Sequence, residues 1–194
     1  MSLHIAIIPG HGHRQTSRGA YRWDPGAVSE MGREAEIVRA IAARALQLGR
    51  GRVTVHDSDQ DGPWSYTWRR NQAHAAIGSG PGVVVHLHVN AGGGDYLLGM
   101  HDPRSSTGAA YAARWCSAVG AALDLSPRKC KTLAAKRPTW ANAANLVEPS
   151  YLATPAGVAA VLLEVGFIDN PSHDRLLTGD AIERQAAAIL AAWE

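Results

Sequence analysis

Strands are expected over Leu3–Ile8, Val83–Asn90 and Val158–Glu164, and the cores of these segments, Ile5–Ile8, Val83–Val85 and Val158–Leu163, are apolar without interruption. A strand with one wet face alternates polar and apolar residues. An unbroken apolar strand has to be covered on both faces, as a central strand of a mainly parallel sheet is. The cover is also in the sequence. Glu34–Leu48 carries Ile37, Ile41, Ala45 and Leu48 at helical spacing and is stopped by Gly49 and Gly51. Trp64–Ile77 forms a second helix, closed by the Gly/Ser/Pro stretch 78–82, and further helices follow over Ser106–Leu123 and Ala181–Trp193. With Arg52–His56 and Tyr96–His101 as additional strands, strands and helices alternate. That is the pattern of an α/β fold whose ligands gather beyond the C-terminal ends of the strands. Two stretches are less regular. Residues 14–32 read as a long surface loop, and 126–154 mixes short strand-like pieces with an Ala/Asn/Trp segment.

At 194 residues the chain is long enough for one domain with a substantial core, and no linker, repeat or low-complexity tract divides it, so a single domain over 1–194 is expected. Its 46% hydrophobic and 19% charged residues exclude a disordered chain. Nineteen basic and 17 acidic residues leave a formal charge of +2, with the basic residues scattered, and this gives no reason to expect nucleic acid as a partner. No apolar run approaches the ~20 residues that cross a bilayer, so no membrane partner is expected. Met1–Ile8 lacks a basic leader and a cleavage site, so no signal peptide is expected in the chain as it stands. Cys116 and Cys130, the two cysteines, are too few for a four-thiolate zinc site and are expected to be unpaired, with Cys116 in helix packing and a disulfide as the alternative.

The residue that needs an explanation is histidine, with nine copies beside six Trp and one Phe. His11 follows Pro9-Gly10 just past a strand end. Strand alternation sends His86 and His88 to one face about 7 Å apart, and Glu34 opens a helix. Two imidazoles and one carboxylate, with water in the fourth position, make an open catalytic zinc site. Such a site needs a separate acid and base, and Glu164, at the polar end of an apolar strand, is the candidate. His13 competes with His11 for the ligand role, and Glu30 and Glu36 compete with Glu34.

The ordered set Pro9-Gly10-His11-Gly12, Asp24-Pro25-Gly26-Ala27, Glu34 with its helix, Arg69 or Arg70 before an Ala-rich segment, His86-Leu87-His88-Val89-Asn90-Ala91 and Leu163-Glu164-Val165-Gly166-Phe167-Ile168-Asp169-Asn170-Pro171 resembles the zinc-dependent N-acetylmuramoyl-L-alanine amidases of the amidase-3 family. These are bacterial cell-wall hydrolases and phage endolysin domains. The resemblance runs from Ile5 to about Trp193. It implies a three-layer αβα fold around a mixed, mainly parallel sheet, with the active site at the strand C-terminal ends. It also implies His11, Glu34 and His88 as ligands of a Zn2+ ion and Glu164 as the catalytic carboxylate. The reaction implied is hydrolysis of the amide between N-acetylmuramic acid and L-alanine of the peptidoglycan stem peptide, by a zinc-activated water with Glu164 as general base. Action on the cell wall would follow, after release at lysis for an endolysin or after secretion.

The sequence departs from the family pattern in three places. Ile8 stands where the family often has Asp, so a carboxylate orienting His11 must come from elsewhere. His86 replaces a small residue, and the segment between His13 and Asp24 is longer than usual. Two other readings compete: a zinc carboxypeptidase or amidohydrolase acting on small peptides or acylamino acids, and a wall-binding domain without catalysis. Tyr21, Trp23 and Trp140 are candidates for substrate contact, whereas Trp68, Trp115 and Trp193 are expected to pack in the core. Arg128, Lys129, Lys131, Lys136 and Arg137 read as a solvated face.

Overall fold

The three apolar runs pair directly with one another in the computed structural model, which describes residues 3–15, 21–58, 65–136, 141–153 and 158–193. The strands are β1 (His4–Pro9), β2 (Gly12–Gln15), β3 (Tyr21–Asp24), β4 (Val28–Ser29), β5 (Gly32–Arg33), β6 (Val53–Val55), β7 (Gly82–Asn90), β8 (Leu97–His101), β9 (Cys130–Ala134) and β10 (Val158–Phe167). The helices are α1 (Glu34–Leu48), α2 (Tyr66–Ile77), α3 (Ser106–Ala122), α4 (Ala141–Ala153), α5 (Asp174–Leu177) and α6 (Asp180–Ala191). Six strands form one sheet in the order β6-β1-β7-β10-β8-β9. All neighbours are parallel except β8 and β10, so the sheet is mixed.

Side-chain alternation sorts each central strand between two helical layers. Ile5, Ile7, Val85, Leu87, Val161 and Leu163 face α1, α3 and α6, meeting Ile37, Ile41, Trp115 and Ile189. Their neighbours point the other way: Ala6, Ile8 and Val84 onto Ala73 and Ile77 of α2, and Leu98, Met100, Ala160 and Leu162 onto Ala144 and Val147 of α4. The result is three layers, with β1, β7 and β10 adjacent and ending at the same edge of the sheet.

Several expectations change. Segment 14–32 is not simply a loop: Gly12 to Gln15 pair with Tyr21 to Asp24 as an antiparallel hairpin, and a second short ladder joins Val28 to Arg33. Within 126–154 the structure holds the edge strand β9 and helix α4, which runs through Pro149. The last strand does not end at Glu164 but continues to Phe167, with a register shift against β7 between the two. The cysteines are not unpaired: Cys116 on α3 and Cys130 on β9 form a disulfide, with Cα atoms 5.4 Å apart. Their spacing in the sequence says nothing of this, because it is packing of α3 beside the sheet edge that brings them together.

Candidate metal centre and catalytic cleft

β1 stops at Pro9, and the turn that follows places His11 over the sheet edge. Glu34 is the first residue of α1, and His88 projects from β7 two residues before the strand ends. The three side chains converge. His11 Nε2 lies 3.2 Å from Glu34 Oε2, and His88 Nδ1 lies 3.0 Å from Glu34 Oε1. Each carboxylate oxygen also accepts a backbone hydrogen bond, Oε2 from Ala27 N and Oε1 from Val89 N, both at 3.0 Å. Glu34 therefore cannot move without disturbing four partners. One ligand atom from each residue can be chosen so that all lie within 4.8 Å of one another.

Two glycines make room for this cluster. A Cβ on Gly10 would come within 2.6 Å of the His88 ring, and one on Gly26 within 2.5 Å of Glu34 Oε2 and 2.7 Å of the His11 ring. Gly26 also adopts φ +69°, open to glycine at no steric cost. The glycines of Pro9-Gly10-His11 and Asp24-Pro25-Gly26 are thus required by the side chains beside them. His88 Nε2 is buried with no hydrogen-bond partner among the described residues. An orphaned imidazole nitrogen beside a buried carboxylate and a second imidazole is a donor set suited to a borderline-soft divalent ion such as zinc.

The charges are strongly coupled. Burial would raise the Glu34 pKa, but hydrogen bonds from His11 and His88 outweigh it and hold the carboxyl far below its usual range. Burial likewise opposes a charge on His11, and Glu34 and Asp24 reverse the outcome, raising its pKa. Glu164 behaves in the opposite way. Burial pushes its carboxyl up to about 7, with the neighbouring Glu34 charge adding to the effect and His88 and His11 opposing it. Glu164 lies opposite His88 across the β10–β7 pair, and its Oε2 has no hydrogen-bond partner among the described residues. All four side chains line one open cleft of about 800 Å³, whose lining also includes Ser65, Tyr66, Asn90, Met100, Ala143 and Leu162.

A family model for N-acetylmuramoyl-L-alanine amidase matches residues 5–193. The chain belongs to the N-acetylmuramoyl-L-alanine amidase family. Membership makes it an amidase of peptidoglycan. A search of curated proteins finds no match. Among solved structures, the catalytic domain of the CwlV amidase from Bacillus (Paenibacillus) polymyxa var. colistinus superimposes with a TM-score of 0.69 at 20% identity, covering 99% of this chain and 96% of that one. The AmiC2 amidase of Nostoc punctiforme gives 0.68 at 18% identity, covering 98% and 94%. The catalytic domain of the CD27L endolysin targeting Clostridia difficile gives 0.66 at 21%, covering 98% and 96%. At these identities the likeness speaks for the fold.

The residues that compete with His11 and Glu34 in the sequence lie outside the His11–Glu34–His88 cluster. His13 packs edge-on against Trp23, with ring centroids 5.2 Å apart, and Glu36 is exposed and pairs with Arg33 at 3.0 Å. Glu30 is exposed. His86 shares a face with His88 but is buried under it, its Nε2 2.7 Å from Ser150 Oγ on α4, and burial pulls its pKa down to about 3. A carboxylate does stand beside His11 where Ile8 offers none: Asp24 Oδ2 lies 3.2 Å from His11 Nδ1, at ion-pair distance. The motif containing Asp24 was visible in the sequence, but its pairing with His11 depends on the β2–β3 hairpin. Trp23 is 38% exposed, with Arg39 5.0 Å above its ring. Trp115 is buried, and Trp193 packs against the core. Trp68 is half-buried. Arg128, Lys131 and Lys136 are exposed, and Lys129 pairs with Asp95. The side chain of Tyr21 and residues Trp64, Trp140 and Arg137 lie outside the described residues.

Proposed function

We propose that this amidase is zinc-dependent, that His11, Glu34 and His88 hold the ion, and that Glu164 is the acid and base of the reaction. The observation that carries the reading is the Glu164 carboxyl, its Oε2 unpartnered among the described residues and its pKa raised by burial, lining the same cleft as a His-Glu-His cluster. Proton transfer is most effective when the pKa of the group lies near the working pH. When bound there, zinc supplies a Lewis acid that polarises the scissile carbonyl and acidifies a water. Glu164 takes the proton of the attacking water as its oxygen bonds to the lactyl carbonyl carbon. It then delivers that proton to the nitrogen of L-alanine as the C–N bond breaks. The products are the lactyl carboxylic acid of N-acetylmuramic acid and a stem peptide with a free amine. Asp24 orients the His11 imidazole, and the anchored Glu34 carboxylate keeps both imidazoles in register.

The reading takes residues 1–194 as one catalytic domain that works at the cell wall, reached by secretion or by release at lysis. The Cys116–Cys130 disulfide suits an oxidising space outside the cytoplasm. No helix among the described residues is long and apolar enough to cross a membrane. Mass spectrometry of peptidoglycan digested by the purified protein tests the reading. Stem peptides beginning with a free L-alanine amine are expected, and new ends elsewhere in the peptide or glycan would refute it. Glu164→Ala should retain zinc and lose hydrolysis; loss of zinc in that variant would reassign Glu164 as a ligand.

A further inference from the structure

His11 adopts φ +59°, a left-handed conformation that few residues other than glycine occupy. Moving it to an extended or right-handed conformation would swing its Cα–Cβ bond away from Glu34, so the approach of the imidazole depends on something holding the turn. Gly12, at φ +88°, lets the chain leave the turn but does not fix it.

The holding contacts come from the start of α2. Ser65 caps that helix, its hydroxyl accepting from Trp68 N at 3.1 Å. Tyr66 and Arg69, three residues apart, then share the face turned toward the end of β1. The Tyr66 hydroxyl accepts a hydrogen bond from His11 N at 3.0 Å. Arg69, 1% exposed, donates from Nη1 to Pro9 O at 2.7 Å and reaches toward His11 O at 3.5 Å, with its guanidinium 4.1 Å over the Tyr66 ring. Buried guanidinium groups usually meet a carboxylate. Among the described residues Arg69 hydrogen-bonds no carboxylate; its Nη1 turns instead to the carbonyls of Pro9 and His11, on either side of Gly10, within the turn that bears His11. Its neighbour Arg70 is not buried in this way.

We infer that Tyr66 and Arg69 are positioning residues for the metal centre: they clamp the 9–11 turn by its N–H and its carbonyls and so hold the His11 imidazole against Glu34. The inference rests on His11 being a metal ligand. It extends that reading to two residues that reach His11 through its backbone.

The test is the zinc dissociation constant of the full chain, measured by competition with a chromophoric chelator, together with the unfolding midpoint of the metal-free protein. Tyr66→Phe deletes only the oxygen that receives the His11 N–H. It should weaken zinc binding about tenfold and shift the metal-free midpoint by no more than about 2–4 °C. Arg69→Lys keeps the charge but loses the planar fork, and should weaken zinc binding further. Wild-type zinc affinity in Tyr66→Phe overturns the inference. So does a large fall in the metal-free midpoint without a change in affinity, which is the signature of a merely structural role. His11→Ala separates the two levels. If it retains zinc, the ligand assignment fails; if it loses zinc while Tyr66→Phe does not, the clamp alone fails.

Discussion

Replacing Glu164 by glutamine should make the metal-free protein more stable above neutral pH while abolishing its activity. A carboxyl whose pKa rises from 4.5 in the unfolded chain to about 7 in the folded one binds more protons when folded across that interval. Stability therefore falls as the pH climbs through the window, and the full penalty is present once the group is ionised above pH 7. The gap between the two values, at 1.36 kcal/mol per pH unit, amounts to about 3 kcal/mol. Water in the open cleft screens the ionised form, so this is a ceiling. Glutamine has nearly the same shape and no charge, and removes the penalty. Urea unfolding of metal-free wild type and Glu164→Gln should show a variant more stable by up to about 3 kcal/mol near pH 8, with the advantage shrinking toward zero near pH 4.5. A difference that does not change with pH, or a variant less stable at pH 8, would refute the assignment of burial as the source of the raised pKa.

His88→Ala should lower the zinc content, measured by elemental analysis, from about one ion per chain to nearly none with the fold kept; full loading would remove His88 from the ligand set. Gly10→Ala introduces a Cβ 2.6 Å from the His88 ring, so it should cost at least about tenfold in zinc affinity while circular dichroism stays unchanged. Wild-type affinity there would mean that the turn yields more easily than its packing suggests. Reducing the Cys116–Cys130 bond, which spans 14 positions, should remove about 3 kcal/mol of stability, or roughly 6–12 °C of the unfolding midpoint. Two free thiols in the unreduced, unfolded protein would contradict the bond itself.

The central architecture was legible because it rests on local patterning. β1, β7 and β10 are buried on both faces and carry the unbroken apolar runs that such burial requires, and α1 shows its inward stripe at Ile37, Ile41 and Ala45. The His11–Glu34–His88 cluster was legible for a related reason: each residue stands near the end or start of one of those elements, where motif and topology coincide. The peripheral structure was not. β9 is an edge strand in which no residue is fully buried, so it carries no apolar run, and α4 contains Pro149, which masks a helical pattern. The two small ladders between Gly12 and Arg33 are held by backbone pairing and leave no hydrophobic period to read. The contacts of Asp24, Tyr66 and Arg69 were hidden for a different reason. Each meets a partner distant in the chain, and only the closed fold brings Asp24 to one side of His11 and the start of α2 to the other.

The far border of the sheet has its own chemistry. Among the described residues β9 has a partner only on its β8 side, so its other flank presents the kind of strand edge to which a second molecule can add. Three traits discourage that. The strand is five residues long, it carries Lys131 outward over Tyr96, and it is stapled to α3 by the cystine. In a reducing milieu the staple at this border would open, and self-association is the expected first symptom.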